Sequence, residues 1–173
     1  MLTAHELFGF MSPSLAAEIL TYTFESEKPT YHATLNAVAA ARHVRPVYLE
    51  RQAKVTRHTA MLATLARPAL EAVASNLLRT WLVKKYKSML VDFLNGLGIE
   101  NSEGVVEDLP PTIDEQKLKA SVDGLLAKYP PETVSVYLHA FNQMNQTNWP
   151  NLKTMLESDS RLQLGGTGTA KTG

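Results

Sequence analysis

The chain contains no cysteine, and that single absence removes disulfide frameworks, thiolate nucleophiles and cysteine-based zinc or iron–sulfur sites. It has no apolar run approaching the roughly 18 residues that cross a bilayer, so no membrane contact is expected. The opening stretch MLTAHELFGFM lacks the basic n-region and long apolar h-region of a secretory leader, and it carries His5 and Glu6 where a leader is apolar. A reducing cytoplasm is the compartment that fits these absences. Net charge is missing too: 17 basic residues balance 17 acidic ones. Charge as a whole therefore draws the chain neither to nucleic acid nor to an anionic surface. Finally, no alternating apolar and polar segment of four or more residues reads as a β-strand.

What is present is helical periodicity on a chain of 173 residues, of which 45% are hydrophobic and 20% charged. That length suits one domain, and a domain of this size buries about 70% of the surface it exposes when unfolded. The pattern is densest over residues 76–99, where the doublets Leu77-Leu78, Trp81-Leu82, Met89-Leu90 and Phe93-Leu94 recur in steps of four. A step of four turns about 400° at about 100° per residue, so the stripe drifts by about 40° each time. One straight helix would aim its two halves in nearly opposite directions. Either different neighbours cover the halves or the helix bends or breaks between Lys84 and Ser88, where Lys85-Tyr86 replaces the expected doublet.

Elsewhere the punctuation is proline and glycine. Ser12-Pro13 reads as an N-cap followed by a first helical residue, predicting a helix to about Ser26. A second helix follows Pro29 to about His43, and Pro46 restarts the pattern in two pieces separated by the polar stretch Gln52 to Thr56. Pro68 opens the run into 76–99, and Asn95-Gly96-Leu97-Gly98 supplies a helix stop. Residues 100–111 read as an extended acidic loop, and Thr112 to Glu115 as a capping box before the next helix. Pro130-Pro131 and Trp149-Pro150 begin two more helices. The fold class is all-α: a compact irregular bundle of about eight helices with one long acidic loop. The spacing of Pro13, Pro29 and Pro46 leaves a helical-hairpin repeat open for the N-terminal half. Residues 1–164 are expected to form one helical domain, and 165–173 a flexible Gly/Thr tail.

Two motifs resemble catalytic signatures and are read as structural. Gly165 to Thr172 nearly spells the phosphate-binding loop, but Ala170 replaces its second glycine and the preceding segment reads as helix rather than strand. Glu132, Ser135, His139 and Asn142 align at steps of three and four, yet an ordinary helix offers no oxyanion hole. They are expected to be the solvated face of an amphipathic helix. His5, His32, His43 and His58 lack metal-ligand spacing, and Trp81 is expected in the core. No catalytic, cofactor-binding or metal-ligating residue is assigned, and no cofactor is expected.

The charge is segregated. Residues 42–87 carry ten basic side chains against Glu50 and Glu71, a net of +8, whereas 92–115 carry seven acids and no base. The reading that follows is a protein-interaction or self-associating module whose partner is another protein or a second copy of itself. The candidate acidic contact loop is Glu100, Glu103, Glu107 and Asp108. The alternative is nucleic-acid binding through a basic patch of Arg42, Arg45, Arg51, Lys54, Arg57, Lys84, Lys85 and Lys87. A further alternative is a small-ligand binder or enzyme with a pocket between helices.

Overall fold

The computed structural model describes residues 1–165. The chain is all-α, with ten α-helices, two 3-10 turns and no strand among the described residues. It divides into two compact units, one of Ala4–Leu77 with Leu164 and Gly165, the other of Met1–Thr3 and Leu78–Gln163. The phosphate-loop resemblance and the tail lie outside the described residues beyond Gly165.

The first unit begins with α1 (Ala4–Phe10), a helix the periodicity did not announce because only Leu7 and Phe8 mark it. Its free first amides, on Ala4 and His5, donate to the two carboxylate oxygens of Glu71 at 3.1 and 2.9 Å. The His5 ring adds a 2.6 Å contact to the same carboxylate. Burial pushes the Glu71 pKa up, but the His5 amide, the His5 ring and the Ala4 amide outweigh it and leave it below the usual value. Next come α2 (Pro13–Ser26) and α3 (Lys28–Ala41), a tight hairpin with one residue between them. Ser12 caps α2 as its sequence predicts, accepting from the Leu15 amide at 3.1 Å. The split after Pro46 also appears, as α4 (Pro46–Glu50) and α5 (Lys54–Leu65).

Helix α5 packs on α1, α2 and α3. Tyr31 meets His58 near the starts of α3 and α5, and Arg42 meets Thr64 near their ends, so these two helices run parallel. That arrangement ends the hairpin repeat after one hairpin, because the five-residue α4 is only long enough to carry the chain back. A 3-10 turn, Pro68–Leu70, leads into α6 (Glu71–Lys85), within which the division between the units falls.

The second unit takes up the rest of α6 and continues through α7 (Lys87–Gly96), α8 (Glu115–Lys128), α9 (Pro131–Asn145) and α10 (Pro150–Ser158). The break expected between Lys84 and Ser88 falls at Tyr86, with φ −112° and ψ 30°. All eight residues of the four apolar doublets are buried. The Tyr86 ring sits edge-on to Trp81 at 5.1 Å and to Tyr129 at 6.2 Å, which packs the break itself. At the other end of α7, Gly98 has φ +71°. Ile99 N bonds to Leu94 O and Gly98 N to Asn95 O, a Schellman stop of the kind that Gly98 predicts.

Two expectations need correction. The N-cap of α8 is Asp114, accepting from the Lys117 amide at 2.9 Å, and not Thr112; a carboxylate one residue before the helix outcompetes a hydroxyl three residues before it. The Glu132, Ser135, His139 and Asn142 stripe is not a solvated face either. Helix α9 is buried on all sides over nine consecutive residues, Thr133 through Phe141. Ser135 Oγ donates to the Leu162 carbonyl, and His139 Nδ1 accepts from the Leu2 amide at 3.1 Å. These polar groups pin the 3-10 turn Ser160–Leu162 and the segment Met1–Thr3 onto α9. Around α9, Phe93, Tyr137, Phe141 and Trp149 form an aromatic cluster with ring centres 5.1 to 6.0 Å apart.

Candidate docking surfaces

The basic residues that cluster in sequence are shared between the units. Arg42, Arg45, Arg51, Lys54 and Arg57 belong to the first, and Lys84, Lys85 and Lys87 to the second. In the first unit they flank α4 along the chain, and the one buried side chain of α4 is Leu49. The rest of α4 faces out, including Val47 at 42% and Tyr48 at 57% exposure. Beside it lies an open hollow of about 510 Å³ lined by Val44, Arg45, Val47, Tyr48, Arg51 and Gln52. Val55, at the start of α5, is 78% exposed. Large apolar side chains on a soluble surface are ordinary singly, whereas several around one concavity with charged neighbours form a contact patch.

Arginine 57 is the fastener beneath this patch. Its guanidinium lies 5.8 Å from the centre of the Phe24 ring and 6.0 Å from that of Tyr31, and it donates to the Glu50 carbonyl at 3.3 Å. One residue therefore ties together the end of α2, the start of α3 and the end of α4. Next to it, His58 is buried and shares a 3.2 Å hydrogen bond with the Tyr31 hydroxyl. Burial, then the charges of Arg57 and Lys54, push the His58 pKa down to about 4. Burial raises that of Tyr31 against the opposing effect of Arg57. Both groups are therefore neutral near pH 7, as a buried hydrogen-bonded pair requires. Arg45, Arg51 and Lys54 differ from Arg57 in being exposed, and they make no ion pair among the described residues.

In the second unit the acidic loop is an ordered structure. Glu103 at φ +53° and Gly104 at φ +86° are the two central residues of a tight turn, closed by mutual hydrogen bonds between Ser102 and Val105 at 2.9 and 3.0 Å. Two successive positive φ values are the mark of a type I′ turn. Asn101 accepts from the Gly104 amide at 3.0 Å and donates to Asn95 at 2.9 Å. Lys87 holds Glu103 at 2.6 Å, which lowers the pKa of that carboxylate. A Cβ on Gly104 would stand 3.3 Å from Leu90 Cβ, so the turn lies flat against α7. The outcome is a fastened hook with Val105 as the last residue of its turn, 70% exposed. Glu100, Glu107 and Asp108 flank it, exposed and with no ion pair among the described residues. Behind it, Val83, Lys84, Lys87 and Leu90 help line an open groove of about 580 Å³.

The histidines are not gathered. His32 and His43 are exposed, His58 is in the first unit and His139 in the second. Among the described residues no group of three or more His, Asp or Glu side chains is placed to hold a metal ion. No described helix is long and apolar enough to cross a membrane. The sequence reading named the arginines around α4 but missed Tyr48, Val47 and Val105, which carry the apolar part of both surfaces. Their signal was present: two apolar residues of a five-residue helix and an apolar pair inside an acidic loop have nowhere obvious to be buried. The chain matches no protein-family model, no curated protein and no solved structure.

Proposed function

We propose that the protein acts as a protein-interaction module whose principal docking surface is the α4 face of its first unit. The observation that carries this reading is the concavity beside α4, in which Val44, Val47 and Tyr48 are flanked by Arg45 and Arg51, neither in an ion pair among the described residues. Tyrosine and arginine around a small apolar centre are the composition that protein contacts favour. Arginines with no ion pair among the described residues supply attraction to an acidic segment without first breaking one. Five basic side chains between Arg42 and Arg57 also suit phosphates, with Tyr48 able to stack on a base. The apolar floor and the neutral chain as a whole favour protein over nucleic acid.

The experiment is photo-crosslinking in the source cell, with a benzophenone amino acid at position 48 and, as a control on the same unit, at the exposed position Glu25. Protein adducts at 48 and not at 25, lost when Arg45 and Arg51 are changed to glutamate, are the expected result. Equal labelling at both positions would contradict the proposal, as would adducts at 48 that consist of RNA or DNA.

A further inference from the structure

The hook in the second unit has the chemistry that the α4 hollow calls for, and we infer that it is the hollow's occupant: the turn Ser102 to Val105 of one copy of the chain inserts Val105 beside Val47 and Tyr48 of another. This rests on the reading of α4 as a docking surface and names its partner as a second copy of the chain. Three observations support it. Val105 is the most exposed large apolar residue of its unit at 70%, and it is held there by a closed turn and the Asn101 hydrogen bonds. Presenting it to a partner therefore costs little ordering. The apolar hollow, with Val44, Val47 and Tyr48, is a receptor of matching character. Charge is complementary around the apolar contact: Glu100, Glu107 and Asp108 beside the hook, Arg45, Arg51 and Lys54 beside the hollow, with none of the six engaged in an ion pair among the described residues. Glu103 is not counted, since Lys87 already holds it.

A hook meeting a hollow is a heterologous contact. Every copy offers one donor and one acceptor, and association does not require two identical surfaces to face each other. This property makes the inference sharply testable with two variants. One, Arg45→Glu with Arg51→Glu, disables the hollow; the other, Glu107→Lys with Asp108→Lys, disables the hook. All four positions are exposed, so both variants should fold.

Light scattering on the wild-type protein should give a mass that rises above 19.1 kDa as concentration increases from micromolar toward millimolar. Added salt should reduce it. Each variant alone should associate about tenfold or more weakly. An equimolar mixture should associate like wild type, because the acidic hook of the first variant meets the basic hollow of the second and the basic hook of the second meets the acidic hollow of the first. A third chain carrying all four reversals should regain association, since its hook is now basic and its hollow acidic. That rescue separates a lost contact from a lost fold. A wild-type mass of one chain throughout the range would overturn the inference, and so would variants that self-associate like wild type or a mixture that associates no better than either variant alone. If the mass stays at one chain while position 48 still crosslinks to other proteins in the cell, the hook is excluded and α4 remains a docking surface. If the crosslinks are absent as well, both fall.

Discussion

Glycine 96 lies where α7 crosses α8, and replacing it with alanine tests whether that crossing is as tight as described. A Cβ at this position would stand 2.5 Å from Ser121 Oγ and 2.9 Å from Ser121 Cβ, closer than non-bonded atoms approach. Ser121 cannot swing away freely, because its buried hydroxyl donates to the Phe93 carbonyl at 3.0 Å. Three effects compete. Alanine in place of a helical glycine returns about 0.5 to 1 kcal/mol of backbone entropy. Overpacking at a close helix crossing costs about 1 to 3 kcal/mol. Displacing the Ser121 hydroxyl from its acceptor adds about 1 kcal/mol or more. The Phe93 carbonyl is not orphaned, since it also accepts from the Leu97 amide at 3.1 Å. The sum is a destabilisation of about 1 to 3 kcal/mol, with overpacking decisive.

Both tryptophans, Trp81 and Trp149, belong to the unit that contains this crossing. Tryptophan fluorescence during urea unfolding therefore reports the unit concerned, and its midpoint should fall by about 1 M at an ordinary urea slope. On a Ser121→Gly background the atoms that the new methyl meets most closely are gone. Gly96→Ala should then cost little or nothing, which gives a coupling energy of about 1 to 2 kcal/mol. An equal cost in both backgrounds, or a raised midpoint in the wild-type background, would refute the packing argument.

Three further outcomes follow from the same geometry. His58 titrates near 4 in the folded protein against 6.5 ordinarily, so the unfolded chain binds its proton more tightly. Its contribution is complete above about pH 6.5 and declines toward pH 4, by on the order of 2 to 3 kcal/mol. The stability difference between wild type and His58→Gln, followed by chemical denaturation, should shrink over that interval; a constant difference would contradict it. Trp149→Phe keeps most of the buried ring but loses the 2.8 Å hydrogen bond from Nε1 to the Pro110 carbonyl, and should cost about 1 to 2 kcal/mol in urea denaturation. Tyr48→Ser should leave the denaturation midpoint within about 0.5 kcal/mol of wild type, because a 57% exposed side chain gives little to the fold.

Much of the fold was legible because local chemistry decides it. Ser12-Pro13, Pro46, the interruption at Lys85-Tyr86 and Gly98 each specify a helix end through a cap, a fixed φ or a left-handed residue, and each end falls where they place it. What was not legible depends on tertiary surroundings. Ser135 and His139 sit opposite an apolar stripe and so look solvated; only the arrival of Leu162 and Leu2 makes them buried ties. The boundary at Leu77 leaves no trace in the periodicity, because α6 runs unbroken through it. Of the interaction surfaces, the charged residues were visible as runs of one sign. The sharing of those runs between two units was not, since sequence proximity says nothing about how α6 carries Lys84 and Lys85 into a different unit from Arg57. Tyr48 and Val105 left only a faint signal, apolar residues in short polar surroundings, since exposure of an apolar residue is known only once the neighbours that fail to cover it are placed.

The central claim is that the exposed α4 face is covered when the protein works. Hydroxyl-radical footprinting of aromatic side chains tests it directly, comparing dilute purified protein with the protein in its source cell. Tyr48 should be oxidised several-fold more slowly in the cell, while Phe10, also half-exposed at 50% and in the same unit, keeps its rate relative to the other aromatics. Equal protection of Tyr48 in both settings would contradict the account.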